Sequence, residues 1–150
     1  MSVHGTGYVN PAKTFLERYS ALSIQLEIMR REVMRQRDSL TNITAHLKQD
    51  VVQTSGSGDR MADGVARIVD AENQFAEEAA RIVKAQTEIL EAINSVHDET
   101  QKAVLMLRYI ERLGWIGVQE RIGYEKTQTL VIHGRALLEI NKWLERKRAD

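Results

Sequence analysis

Apolar residues recur early in the chain at Phe15, Tyr19, Leu22, Leu26, Met29 and Val33, then at Leu40, Ile43 and Leu47. Steps of 4, 3, 4, 3, 4 and then 7, 3, 4 mark a helix that buries one seam against another helix. Gln36 fills the gap between Val33 and Leu40, a polar seam residue of the kind that fixes register at some cost in stability. Asn10 before Pro11 predicts the start: a side-chain acceptor, then a residue preset to helical φ whose missing N–H costs nothing there. A helix from Pro11 to Lys48 would be about 57 Å long at ~1.5 Å per residue. Residues 1–10 hold two glycines, little apolar mass and no period, and read as a flexible arm.

Residues 53–59 (QTSGSGD) carry no apolar side chain and predict a loop, with Ser57 or Asp59 capping the next helix. A second seam runs Met61, Val65, Ile68, Glu72, Phe75, Ala79, Ile82, Gln86, Ile89, Ile93 and Val96. Two heptad helices joined by a short loop fold back most simply as an antiparallel hairpin, here over residues 11–97. Each helix of such a hairpin buries one stripe, so a homodimer or higher homo-oligomer is expected.

The pattern shortens in residues 98–150. Asp98 and Gln101 have capping-box spacing, predicting a helix from about residue 99 with Val104, Leu105, Leu107, Ile110 and Leu113 inward and Gly114 as a left-handed stop. A short helix Trp115–Ile122 comes next, with Val118 and Ile122 on one face and Gly123 as its stop. A longer helix over 126–146 should bury Ile132, Ala136, Leu137, Ile140 and Trp143 or Leu144. Trp115 and Tyr124 are expected to pack in this small core. A short helix, a glycine turn and a longer helix with a polar start describe a helix-turn-helix, whose second helix fits the major groove of DNA.

Composition agrees with an all-α fold: 43% hydrophobic residues, 5% aromatics and one proline in 150 residues. No cysteine is present, which removes disulfides, thiol nucleophiles and cysteine zinc sites and fits a reducing cytoplasm. Net charge is zero but segregated, +2 over residues 1–57, −6 over 58–100 and +4 over 101–150. Only the last segment suits a polyanion. No run approaches the roughly 20 apolar residues of a membrane span, so no membrane partner is expected. The four histidines are scattered without ligand spacing, and Glu77 and Glu78 point about 100° apart on a helix. The SGSG stretch lacks the Gly-Lys-Ser/Thr end of a phosphate loop. No enzyme activity, cofactor or metal is expected.

The run RYIERLGWIGVQERIGYEKTQTLVIHGRALLEI resembles region four of sigma factors. It is more similar to phage and mobile-element regulators with a sigma-like helix-turn-helix, related to the RinA and ArpU late-gene regulators. Leu107, Arg108, Tyr109, Ile110, Trp115, Gly123, Tyr124, Gln128, His133, Gly134, Arg135, Ala136 and Leu137 carry that resemblance, and SGSGDRMADGVARIVDAE resembles the hinge and second helix of the group. The resemblance implies a transcriptional regulator of phage origin acting on double-stranded DNA in the cytoplasm of a bacterial host. The candidate DNA contacts are Lys126, Thr127 and Gln128 on base edges, with Leu130, Val131, His133, Arg135, Arg121 and Arg112 around them. Glu125 stands where the group has a serine cap, Gln119 where it has a small residue, and Leu130-Val131 where it has an outward Tyr-Arg pair. The loss of that arginine keeps a second function open, an adaptor whose head meets RNA polymerase or another regulator instead of DNA. A purely structural coiled coil would leave the match over Gly123–Leu137 unexplained.

Overall fold

The computed structural model describes residues 9–49 and 57–150, all helical apart from short connections and without a strand among them. Among the described residues five α-helices occur in order: α1 Pro11–Gln49, α2 Ser57–Asn94, α3 Glu99–Leu105, α4 Trp115–Ile122 and α5 Lys126–Ala149. A π-helical turn, Met106–Ile110, continues α3. The arm expected over residues 1–10 lies almost wholly outside the described residues, as do residues 53–56 of the loop expected over 53–59. Ser57–Asp59, expected in that loop, already belong to α2. No helix among the described residues is long and apolar enough to cross a membrane.

The chain divides into two units, and the division falls inside the long helices. One joins the described residues up to Leu22 with Lys84–Asp150; the other is Ser23–Val83.

In the first unit Ala12, Phe15 and Leu16 of α1 pack with Ile89, Ala92, Ile93 and Val96 of and after α2, Leu105, Tyr109, and Ala136, Leu137, Ile140 and Trp143 of α5. Asn10 caps α1 as its sequence predicts, its Oδ1 accepting from Ala12 N at 3.0 Å. Asn141 of α5 completes the end: its Oδ1 accepts from Ala12 N at 2.9 Å and its Nδ2 donates to Asn10 Oδ1 at 3.2 Å. Asp98 caps α3, accepting from Gln101 N at 2.8 Å. The reciprocal half of the box is not formed, since Gln101 Oε1 is buried without a partner. A smaller cluster of Val104, Val118 and Ile132, flanked by Leu107, Leu113, Trp115 and Ile122, packs α4 onto α3 and α5.

The second unit is thinner. Leu26, Met29, Val33 and Leu40 of α1 and Ile68, Phe75 and Ala79 of α2 are half-buried, and Ile82 is buried. Arg37 pairs with Glu72, a polar residue of the second seam. A Cβ on Gly64 would stand 2.9 Å from Leu40 Cδ1, so the glycine makes room for that leucine. Ile43, Met61 and Val65, expected on the seams, are exposed, and Leu47 has no described side chain.

Candidate nucleic-acid interface

α5 begins at Lys126 after Glu125, whose extended backbone (φ −72°, ψ 166°) starts the helix with no side-chain cap. Gly123 ends α4 in the left-handed conformation, φ 76°, where glycine bears no steric cost. A connection of three residues therefore joins the two helices. Thr129 locks the first turn of α5 from behind: it is fully buried, and its Oγ1 donates to the Glu125 carbonyl at 2.8 Å. With Thr129, Ile132, Ala136 and Leu137 inward, the 3.6-residue period turns the rest of the helix start outward.

Lys126, Thr127, Gln128, Leu130, Val131 and Arg135 all lie on that exposed surface, and Arg121 is exposed on the last turn of α4. Arg112 is exposed too, in the connection before α4 and apart from the α5 surface in sequence. Tyr124, expected in the core, is exposed.

His133 does not join this surface. It is buried, its Nε2 hydrogen-bonded to Tyr109 Oη at 2.7 Å, with the Tyr109 ring stacked on it and the Trp115 ring edge-on at 4.7 Å between centroids. Burial, with Arg108 and Lys13 adding positive potential, lowers its pKa from 6.5 to about 4. A neutral, enclosed imidazole packs α5 against the π-helical turn; it offers no charge to a phosphate. Burial likewise raises Tyr109 to about 12, with Glu17 adding to the shift and Arg108 opposing it.

The segment between Ile110 and Trp115 departs from its sequence reading. Gly114 has φ −64° and ψ 162°, an extended residue that opens α4 instead of a left-handed stop. The left-handed residue is Arg112, φ 61°, and the helix before it has already widened into the π-helical turn. Neither feature is singled out by sequence periodicity, because Val104, Leu105, Leu107, Ile110 and Leu113 also fit one face of an ordinary α-helix. Arg108, which that spacing does not single out, is fixed here: Nη1 donates to the Leu113 carbonyl at 2.9 Å, and the guanidinium lies 4.6 Å from the Trp115 ring centroid. Among the described residues no three His, Asp or Glu side chains gather as metal ligands.

The described residues are thus all helical apart from short connections, with α4 joined to α5 by a three-residue turn and the start of α5 open to solvent. The chain belongs to a family of proteins of unknown function, DUF1492, whose model matches residues 43–141. The matched span runs from the end of α1 into α5 and takes in α4, the turn and the first two thirds of α5. No curated protein and no solved structure matches the chain.

Proposed function

We propose that the protein is a sequence-specific DNA-binding transcriptional regulator of phage type, with α4 and α5 as a helix-turn-helix and α1 and α2 as a hairpin that dimerises. One observation carries the reading: Thr129 and Ile132 anchor α5 from the inner side while Lys126, Thr127 and Gln128 stay exposed on its first turn. A recognition helix needs that combination, because base-edge contact requires a rigid helix with free side chains at its N-terminal end. The resemblance to sigma-like phage regulators supports it. The pairings of Arg37 with Glu72 and of Leu40 with Gly64 support the hairpin, since advancing along α1 retreats along α2. No bond is made or broken in this function; the protein would work by stationing a head at a promoter in the cytoplasm of a bacterial host.

The test is binding to DNA from upstream of its own gene cluster, titrated with salt. A specific complex whose log affinity falls by several units per log unit of salt is expected. Lys126→Ala with Gln128→Ala should abolish specific binding while helix content and oligomer stay unchanged; unchanged affinity would sink the assignment.

A second reading is favoured by apolar exposure on the same helix. Leu130, Val131 and Leu138 are 40%, 42% and 60% exposed. Such a stripe fits a protein partner, and in this reading the head docks on RNA polymerase or another regulator. Absence of DNA binding near 50 mM salt, with retention of RNA polymerase in a pull-down, would select it.

A further inference from the structure

Away from the α5 surface, a cleft of about 370 Å³ opens among Lys13, Glu17 and Ser20 of α1, and Arg108, Arg112 and Trp115. Three of these side chains are cations and one is a carboxylate, and the carboxylate is already engaged, with Glu17 Oε1 3.9 Å from Lys13 Nζ. Arg108 is not a loose surface arginine. Its bond to the Leu113 carbonyl and its seat over Trp115 fix the plane of the guanidinium, leaving further N–H groups of a preset fork to donate. Arg112 has no ion-pair partner among the described residues.

Backbone strain makes a second, independent argument. Arg112 occupies the left-handed region at φ 61°, where glycine is easiest and a long side chain costs free energy. It comes just after a π-helical turn, a distortion frequent at functional sites. A strained residue that keeps a cation where glycine would relax the chain is a candidate for a functional role. Burial is the main cause of the low His133 pKa, but Arg108 and Lys13 contribute, so positive potential reaches behind the cleft wall as well.

We propose that this cleft binds a phosphate group, gripped by the Arg108 fork and the Arg112 guanidinium, with Lys13 and the Ser20 hydroxyl at its edge. Planar, bidentate donation suits a tetrahedral oxyanion, and two guanidiniums beside one engaged carboxylate leave a net positive seat. The group has two possible carriers, the backbone of duplex DNA or a free phosphate, and the site does not depend on α5 being a recognition helix.

The Trp115 indole N–H reports on the cleft, because Arg108 sits over that ring. In the full chain, with the signal identified by Trp115→Phe, inorganic phosphate at constant ionic strength should shift it saturably while chloride does not. Arg112→Gly removes the cation and relieves the left-handed backbone, so it should fold at least as well and bind phosphate about tenfold more weakly. Lys84→Ala, on the exposed side of α2, should change nothing. Duplex DNA that displaces phosphate from Trp115 identifies the DNA backbone as the carrier. Duplex DNA that leaves the phosphate-shifted signal in place, or fails to bind, identifies free phosphate. No shift beyond the chloride control, or a shift equal in wild type, Arg112→Gly and Lys13→Ala, overturns the proposal.

Discussion

The two units of the chain are built from the same two long helices yet are held together differently. In the first, the ends of α1 and α2 meet three further elements, and Leu16, Ile89, Ile93, Leu105 and Ile140 lose essentially all contact with solvent. In the second, Ser23–Val83, the same heptad pattern buries Ile82 but leaves most of its seam residues half-buried and Ile43, Met61 and Val65 exposed. A heptad seam specifies that a helix will have a neighbour; how deeply the seam is buried depends on how many neighbours arrive. Two helices alone cover one stripe each, so the exposed apolar residues of the second unit are the natural contact for a dimer on the proposed function.

Core truncations should separate the units most sharply. Ile140→Ala in the first unit is expected to cost about 2–5 kcal/mol, whereas Val33→Ala in the second should cost about 1 kcal/mol, by urea denaturation of the two variants. Equal losses would mean that the second unit is as tightly packed as the first.

Acid should act next, and on the first unit. His133 is neutral there with a pKa of about 4, against 6.5 for an ordinary histidine. Between those values the unfolded chain binds a proton that the native protein refuses, so stability is complete above about pH 6.5 and declines as pH falls toward 4. Urea midpoints measured across that range should show the decline, and His133→Gln should flatten it. A slope that survives the substitution would trace acid sensitivity to other groups.

Gly64→Ala probes the second unit directly. Alanine gains roughly 1 kcal/mol of helix propensity over glycine, and the atom in its way is the end of the Leu40 side chain, which can swing aside. A net stabilisation of about 0.5 kcal/mol is expected from the denaturation midpoint. A loss would reveal packing around Leu40 as rigid as that of the first unit. The smallest effect belongs to Arg37 and Glu72, whose exposed ion pair should show about 0.2–1 kcal/mol of coupling in a double-mutant cycle of alanines, shrinking with salt.

Much of the fold is legible in the sequence because local chemistry sets it. Pro11, Asp98, Trp115, Gly123 and Lys126 mark boundaries where the sequence puts them, each through a cap, a stop or the edge of an apolar period. The inner face of α5 keeps its period through Ile132, Ala136, Leu137, Ile140 and Trp143. Tertiary context sets the rest. Thr129 and His133 are polar residues buried on that same face because a carbonyl and a tyrosine hydroxyl await them, partners that no spacing rule contains. Gly114 reads as the left-handed stop because glycine is favoured there, yet the π-helical turn moves the reversal to Arg112. Of the candidate contacts, the exposed start of α5 is legible from period alone; the Lys13, Arg108 and Arg112 cleft is not, since it joins residues almost a hundred positions apart.

The amide pair of Asn10 and Asn141 has a consequence for how the protein is made. Ala12 N gains its second acceptor, beside Asn10, only when a side chain 129 residues downstream is in place. The ribosome delivers α1 first and α5 much later, and every apolar partner that α5 brings to Phe15 and Leu16 arrives with the same delay. A nascent chain lacking α5 therefore carries the start of α1 capped by Asn10 alone and its neighbouring apolar face short of the partners α5 supplies. The first unit cannot mature in step with synthesis; it must close as a late event, on an interval set by translation of the intervening chain.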